Sequence, residues 1–390
     1  MQTYRFKLYN STKNQYLAKL IEQFAEVYNY CIGTYDRCFR WFRKSLSAVD
    51  LKNHISKIKK RPCYSWMKKL DAQAVQDVVE RVEKGRIRHF RNRKNGIKSS
   101  LPSHRSLESY KSFTLKQTGY KFLESNKVRL LGRIYKYHKS REIEGKIKTV
   151  TVKRDNVGNL WLIIVTDHQR SEYKPLTGKS VGFDFGMKHM LVGSDGTTID
   201  SPLFLRSQLS RLKKLNRVLS RKKKGSNNWE KAKLNVARFH QRVEDQRNDY
   251  QWKLARKLLF TYDLVCLEDL NLKSMSKHFG KKIGDYGFCL FRQKLGYLAT
   301  IFGKQIKYVG RFFPSSKTCS NCGYINKELK LRDREWDCPS CGKHHDRDYN
   351  ASVNILREGA SSLRLDGVIP SVEGFRCLNL ESPVHCCSYM

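Results

Sequence analysis

The sequence Val181-Gly182-Phe183-Asp184-Phe185-Gly186 predicts a strand that carries one carboxylate between apolar neighbours. Gly182 and Gly186, which flank the Phe183-Asp184-Phe185 segment, would let another part of the backbone approach this strand closely. A second apolar run, Leu264-Val265-Cys266-Leu267, leads directly into Glu268 and predicts a buried strand that ends in an acid. A third acid, Asp348, stands at the start of the last predicted helix. Each acid alone would more often be a cap or a surface charge, so their relative placement carries the argument.

The elements around these acids are predicted in the order β-β-β-α-β-α-β-α. Hydrophobic periodicity gives strands near 181–186, 190–193 and 197–199, helices near 205–223 and 227–260, a strand at 264–267, a helix near 288–303, a strand at 305–309 and a final helix near 348–357. In such a sheet the first and fourth strands are neighbours and the last helix packs beside them. We therefore expect Asp184, Glu268 and Asp348 to converge.

Upstream of this region the spacing of apolar residues along the chain changes twice. Residues 4–9 alternate as a strand, about 14–95 show helical spacing, and about 105–180 return to the period of two. The first strand has no near neighbour, so we expect it to pair with the later β region across the helical insertion. The stretch after Gly359 shows no periodicity and is expected to be a loose tail.

Four of the twelve cysteines have the spacing of a metal site. Cys319, Cys322, Cys338 and Cys341 form C-x2-C-x15-C-x2-C, and a glycine follows each pair, as a tight turn requires. Four thiolates close a tetrahedron, so this pattern predicts one structural Zn²⁺ ion. The other eight cysteines are scattered and are expected to be core or tail residues.

The charge of the chain predicts a polyphosphate partner. Lys and Arg number 77 against 36 Asp and Glu, which gives +41, whereas 39% hydrophobic residues exclude a basic disordered tail. Basic patches at 57–61, 86–94 and 221–224 suit phosphate contacts better than solvated helix faces. The first residues alternate as a strand and differ from a secretion signal, and no apolar run is long enough to span a membrane. We expect a cytoplasmic, nucleoid-associated protein of a bacterium or archaeon.

Three converging carboxylates in so basic a chain suggest phosphodiester chemistry. They could hold two divalent ions about 3.5–4 Å apart for in-line attack on a nucleic-acid backbone. Mg²⁺ suits such hard oxygen ligands.

At this point the sequence resembles a known family. The strand order and the acids resemble the ribonuclease H-like RuvC nuclease domain. The segments 181–186, 267–271, 311–322 and 345–354 resemble those of TnpB, a family of transposon-associated RNA-guided DNA nucleases related to type V CRISPR effectors. The resemblance runs from residue 1 to about 357. It implies that Asp184, Glu268 and Asp348 are the catalytic metal ligands. Asp346 competes for the third role, and Asp348 is preferred because it directly precedes Tyr-Asn-Ala-Ser.

The resemblance also implies a multidomain α/β architecture. Its expected parts are a wedge-like β-barrel (1–12 and 105–178), a helical recognition domain (13–104), a RuvC domain (179–312 and 344–358), a zinc-ribbon insertion that binds target nucleic acid (313–343) and the tail (359–390).

The family further implies an Mg²⁺-dependent DNA endonuclease with one structured guide RNA per chain and double-stranded target DNA as partners. The expected nucleic-acid contacts are Lys59, Lys60, Arg61, Gln73, Gln76, Arg86, Arg88, Arg91, Thr114, Lys222 and Lys223. Gln73, Gln76 and Thr114 lie where the family reads a short flanking DNA motif, and ordinary surface roles are equally compatible with them. Three alternatives remain open: a compact CRISPR-associated type V effector, a nuclease-inactive RNA-guided repressor, and an unguided zinc-ribbon DNA-binding protein.

Overall fold

The computed structural model describes residues 1–186, 188–330 and 332–365. The chain divides into two compact units, one from Met1 to Arg170 and one that begins at Ser171. Among the described residues, none of the helices has the length and apolar character that a membrane crossing needs.

The helices of the first unit form a bundle with an apolar interior. One face of the longest helix buries Leu17, Ile21, Phe24 and Cys31, as the helical spacing predicts. Two of the helices begin at a side-chain cap, since Ser47 forms a capping box with Asp50 and Asp71 accepts a hydrogen bond from the Ala74 amide. The helices are α1 (Asn14–Phe42), α2 (Ala48–Ile58) and α3 (Ala72–Lys94), with a 3₁₀ helix at Pro62–Lys69 between the last two.

The strands of the first unit form two sheets. They are β1 (Gln2–Lys7), β2 (Ser112–Leu115), β3 (Tyr120–Leu123), β4 (Lys127–Leu130), β5 (Arg133–Lys136), β6 (Ile147–Arg154) and β7 (Leu160–Thr166). The strand β1 pairs antiparallel with β7, with Gln2 opposite Thr166, which confirms that the first strand crosses to the later β region.

The β-barrel expected in this unit is not one closed sheet. Within residues 1–170, all of them described, the orders are β1-β7-β6-β2 and β3-β4-β5, and an isolated bridge joins Leu8 to Tyr137. The second sheet is separate because two tight turns, with positive φ at Asn126 and at Gly132, fold β3, β4 and β5 onto one another.

The second unit contains a mixed sheet between helices. Its strands are β8 (Ser180–Asp184), β9 (Leu191–Gly193), β10 (Thr198–Ile199), β11 (Leu264–Glu268) and β12 (Gln305–Val309), in the order β10-β9-β8-β11-β12. The strands β8, β11 and β12 run parallel, and β9 is antiparallel to both of its neighbours. The predicted adjacency of the first and fourth strands of this unit is confirmed. The helices are α4 (Leu209–Ser220), α5 (Asn227–Thr261), α6 (Leu272–Tyr286), α7 (Phe288–Phe302) and α8 (Arg347–Leu365), and a short hairpin of β13 (Glu335–Asp337) and β14 (His344–Asp346) precedes α8.

The helix α8 lies directly on the parallel strands. A Cβ atom at Gly182 would stand only 2.5 Å from the Leu356 nitrogen, so glycine is required where the helix crosses β8. At Gly359 a Cβ atom would stand 2.9 Å from the Cβ of Cys266 on β11. The sequence predicted a last helix near 348–357 and a loose tail after Gly359. Instead α8 continues to Leu365, and Gly359 permits the close contact of this helix with β11. The rest of the predicted tail, 366–390, lies outside the described residues.

Candidate active site and metal centres

Two of the three predicted acids end adjacent parallel strands. Phe183 on β8 is opposite Leu267 on β11, and the next residues in register are Asp184 and Glu268. The carboxyl ends of parallel strands meet at one edge of a sheet, which is where α/β folds place their sites. Asp348, in the first turn of α8, reaches the same edge, because a Cβ atom at Gly186 would lie 3.7 Å from its Oδ2. The structure thus brings all three acids together.

Burial raises the pKa of two of the acids, and for Asp184 the other acids add to this effect. Burial and the nearby charges of Glu268 and Asp348 raise the pKa of Asp184 to about 8, although Arg347 and the Phe185 amide act in the opposite direction. Burial also raises the pKa of Glu268, against a hydrogen bond from the Ser315 hydroxyl. Grouped carboxylates of this kind are stabilised as anions when a cation lies between them.

The neighbouring Asp346 has a different role. Its Oδ1 accepts a hydrogen bond of 2.8 Å from the Tyr349 backbone amide, the pattern of a helix N-cap. This contact supports the preference for Asp348 over Asp346 as the third acid of the cluster.

Two further side chains contact the acids and were not predicted. The Ser315 hydroxyl donates to Glu268 Oε1, and Arg334 Nη1 lies 3.6 Å from Asp348 Oδ1. Ser315 lies just before the first cysteine of the insertion, and Arg334 lies between its two cysteine pairs. Ser315 lies in the segment 311–322 that resembles the family, and this resemblance could have indicated a role at the site. Arg334 lies in a stretch without a motif, so nothing in the sequence indicated its contact with Asp348.

The four cysteines form a compact cluster. Their Sγ atoms all lie within 4.8 Å of one another, with 3.7 Å between those of Cys319 and Cys341 and 3.6 Å between those of Cys322 and Cys338. A tetrahedral Zn²⁺ with Zn–S bonds of about 2.3 Å separates its sulfurs by about 3.8 Å. A hydrogen bond from the Asn321 amide helps to lower the pKa of Cys341 to about 6, which favours the thiolate that binds metal. The cluster fits a zinc ion in both geometry and donor chemistry.

The carboxylates are spread more widely than the cysteines. Within the described ranges, the four cysteines are the one group of three or more His, Cys, Asp or Glu residues whose ligand atoms all lie within 4.8 Å of one another. The carboxylate oxygens of the three acids are farther apart than this. The three acids are close enough to interact electrostatically and present hard oxygen donors, the type that Mg²⁺ prefers.

The cysteine cluster is attached to α8 by amide side chains. Asn350 accepts a hydrogen bond from the Ser320 amide and donates one of 2.7 Å to the Thr318 carbonyl. Asn354 donates to the Ser315 and Thr318 carbonyls, at 2.8 and 2.6 Å. His345 Nε2 also lies 3.0 Å from Cys319 Sγ. The helix that carries Asp348 therefore holds the start of the insertion in place.

The basic residues expected to contact nucleic acid are mostly on the surface. Lys59 and Arg86 are half-buried, and the guanidinium of Arg86 lies 4.3 Å from the Tyr35 ring centre. The remaining basic residues of the set are exposed, with the last two in the loop between α4 and α5: Lys60, Arg61, Arg88, Arg91, Lys222 and Lys223.

The three polar residues expected to read DNA differ in their placement. Gln76 is exposed and lines a cavity of about 150 Å³ together with Lys59 and Lys68. Gln73 accepts hydrogen bonds from the Gln117 and Thr118 amides, so its oxygen holds a loop. Thr114 is buried, and its hydroxyl contacts Arg81 at 2.5 Å and Thr151 at 2.8 Å. Phe113, Thr114 and Leu115 are all buried, so both faces of β2 are covered and Thr114 does not lie on the surface of its unit.

A sheet edged with three acids, followed by a four-cysteine cluster, gives a mixed α/β protein with one group of oxygen donors and one group of sulfur donors. Comparison with protein families gives two matches in the second part of the chain. Residues 163–278 match the family described as "Probable transposase" (OrfB of IS605), and residues 288–355 match the family described as "Cas12f1-like, TNB domain". Over these two stretches the chain is similar to both families.

Curated relatives carry related names. A "Putative RNA-guided DNA endonuclease" of Streptomyces pristinaespiralis is 38% identical over 58% of this chain and 57% of its own length. The "Putative RNA-guided DNA endonuclease InsQ" of Escherichia coli K12 is 27% identical over 78% of this chain and 79% of its own length. The "TnpB-like protein L79" of Acanthamoeba polyphaga mimivirus is 28% identical over 54% of this chain and 43% of its own length. The chain thus spans little more than half of the first of these relatives.

Solved structures give a weaker match. A Cas12f1 complex with guide RNA and target DNA aligns over 91% of this chain and 98% of its own, at 16% identity and a TM-score of 0.36. A TM-score this low supports no conclusion about the fold.

Proposed function

We propose that the protein is an RNA-guided DNA endonuclease whose nuclease centre is formed by Asp184, Glu268 and Asp348. The observation that carries this proposal is the convergence of three acids, from distant parts of the sequence, on one sheet edge in a chain of net charge +41. A protein that only binds DNA gains nothing from burying acids together. The names of the relatives support the guide RNA and the DNA target.

The acids would hold a pair of Mg²⁺ ions. When bound, such a pair lowers the pKa of an attacking water and neutralises charge on the phosphodiester. Ligands shared between two ions need not all lie within reach of a single ion, which suits the wide spread of these carboxylates. The Ser315 hydroxyl would keep the Glu268 carboxylate oriented.

The domain roles follow from the same proposal. The part of the second unit at 179–312 and 344–358 would be the RuvC nuclease domain, and 313–343 a zinc ribbon that handles target DNA. Segments 1–12 and 105–178 would form the wedge domain, and 13–104 the recognition domain. The helix α8 packs on the sheet, and its Asn350 bonds the backbone of Thr318 and Ser320. This helix would therefore connect the nuclease domain to the zinc ribbon.

The guide RNA would account for most of the positive charge. Specific DNA-binding proteins commonly neutralise about six to ten phosphates, far fewer than +41 requires. Arg88 and Arg91 on α3, and Lys222 and Lys223 after α4, are exposed and could each contact the backbone of a folded RNA, which proteins recognise by shape and backbone.

The test begins with RNA that copurifies with the protein. Its sequence should define a guide, and a DNA target that matches this guide should be cut in Mg²⁺ while a scrambled target is not. Asp184→Asn should abolish the cut and retain RNA and target binding, whereas Asp249→Asn, which removes an exposed carboxylate paired with Lys253, should cut normally. Equal cutting of both targets after RNA digestion, or cutting in EDTA, contradicts the proposal.

A further inference from the structure

His345 is a buried polar side chain in the hairpin that precedes α8. Its exposed fraction is 6%, whereas the preceding residue, His344, is exposed and its Nδ1 lies 2.7 Å from Asp337 Oδ1. Successive side chains of a strand point to opposite faces, which explains the difference. A buried imidazole needs a hydrogen-bond partner. His345 is not required as a metal ligand, because four cysteines already complete a tetrahedral site.

The partner of His345 is a sulfur of the cysteine cluster. Its Nε2 lies 3.0 Å from the Sγ of Cys319, a residue that is 1% exposed. The ligand atoms that all lie within 4.8 Å of one another are the four sulfurs, without a nitrogen of His345, so the imidazole approaches the cluster from one side. A metal-bound thiolate has no proton to donate, so the proton of this contact must be on Nε2. His345 is therefore a donor to sulfur and not a fifth ligand.

The contact joins the two halves of the cysteine segment. Cys338 and Cys341 lie in the turn between β13 and β14. On β14, His345 pairs with Trp336 of β13, and the centres of their rings are 4.9 Å apart. Cys319 belongs to the other cysteine pair. The hydrogen bond from His345 to Cys319 thus connects the first pair to the hairpin that carries the second, in addition to a shared metal ion.

Cys319 needs such a donor more than the exposed cysteines do. Four thiolates around one Zn²⁺ ion carry an excess of negative charge. Cys322 and Cys341 are exposed, so water can solvate their sulfurs. The sulfur of Cys319 is removed from water, and a buried charge costs free energy unless a donor compensates for it. An N–H group that donates to a metal-bound sulfur withdraws electron density from it and fixes its orientation.

We propose that His345 is a positioning residue of the cysteine cluster, which donates its Nε2 proton to Cys319 and so holds that sulfur in place for the metal. The proposal rests on the proposed zinc site and is independent of the nuclease centre. Without this donor the charge of the buried sulfur would be uncompensated, and the cluster would bind its metal more weakly.

The test replaces zinc with Co²⁺ in the full chain, because the sulfur-to-cobalt charge-transfer band reports the electron density of the thiolates. His345→Phe keeps a ring against Trp336 and removes the donor. The band should therefore move to lower energy, and the affinity for Zn²⁺ in a chelator competition should fall about 10- to 100-fold. His345→Gln retains an N–H donor and should restore both values toward those of the native chain. His344→Phe, on the exposed face of the same strand, should change neither.

A measurement on the native chain does not depend on how a variant folds. With an NMR-active cadmium isotope in the cluster, the Nε2 proton of His345 should show spin coupling to the metal through the hydrogen bond. An Nε2 that carries no proton or binds cadmium directly would overturn the proposal. So would a phenylalanine variant whose charge-transfer band and zinc affinity equal the native values. A native chain that binds neither Zn²⁺ nor Co²⁺ would instead contradict the zinc site itself, so the two failures are distinguishable.

Discussion

Carboxylates meet opposite surroundings in the two units of this protein. In the first unit Glu80 lies 2.8 Å from Lys52 and 2.6 Å from Lys116. Burial opposes ionisation there, but hydrogen bonds from both lysines lower the pKa of Glu80 to about 2. In the second unit burial and two other acids raise the pKa of Asp184 to about 8. Cations are abundant in this chain, and the acids of the sheet edge are nevertheless grouped with one another. The difference distinguishes a carboxylate paired with lysines of the fold from the grouped carboxylates that we propose take up an external cation.

The sharpest test of this contrast removes one acid of each kind. Asp184→Asn is expected to reduce the single-turnover rate of guided DNA cleavage by about 10³-fold or more, because a metal ligand worth several kcal/mol is lost. Glu80→Gln should leave that rate unchanged, since its partners are lysines of the fold. Binding of RNA and target should survive in both variants. Similar rates for the two variants would remove the distinction.

Loss of a cysteine tests the second set of metal ligands. Cys319→Ser should lower the bound zinc from about one ion per chain to near zero and increase hydrogen exchange across 317–346, because three ligands hold a structural zinc far more weakly than four. Metal analysis together with hydrogen exchange measures both effects. Cys289→Ser, on α7 and outside the cluster, is the matched control. Full zinc content in the Cys319 variant would argue against a four-cysteine site.

The contact between α8 and β8 should respond to a single methyl group. Gly182→Ala is expected to lower the free energy of unfolding by about 1–3 kcal/mol, because the added carbon would collide with the backbone of α8. Gly296→Ala, on a helix where the new carbon meets open space, should instead stabilise the protein by about 1 kcal/mol. Urea denaturation of the two variants gives the comparison. Equal effects would show that the helix does not press on the strand.

The smallest expected effect is the pH dependence of the Glu80 ion pairs. The pKa of Glu80 in the folded protein is lowered, so its contribution to stability is present above its ordinary pKa of 4.5 and is lost as the pH falls toward 2. The difference in unfolding free energy between the native protein and Glu80→Gln should therefore be larger at pH 7 than at pH 3. A difference that does not change between these pH values would mean that Lys52 and Lys116 do not hold the carboxylate.

Local patterns and simple topology predicted much of this fold. The cysteine cluster depends on two pairs of neighbours, so its spacing is visible in the sequence. The contact of β8 with β11 follows from the order of elements, which left few arrangements for the parallel strands. The paired first strand was predictable because residues 4–9 lacked a local partner.

Other features depend on tertiary contacts, which the hydrophobic periodicity of the sequence does not reveal. Ser315 and Arg334 reach the acids only because the cysteine insertion folds back onto α8. Gly359 reads as a helix end, yet its function is a close contact with Cys266. The helix α6, over Leu272–Tyr286, was not expected, because its 15 residues include two serines and two glycines, which have lower helix propensity than alanine or leucine. Thr114 is buried because both faces of β2 are covered, which the sequence alone does not show.

The attachment of the cysteine insertion has a consequence for how this architecture can diversify. Its first cysteine, Cys319, lies beside His345, and Asn350 binds the backbone on both sides of Cys319. The segment therefore leaves the sheet domain and returns to it at nearly the same point. Its length can change without moving the ends, because lengthening a closed loop costs little free energy. Insertions in the middle of this segment, between Gly323 and Glu335, should thus be tolerated, which makes it a natural position for grafting a new binding module.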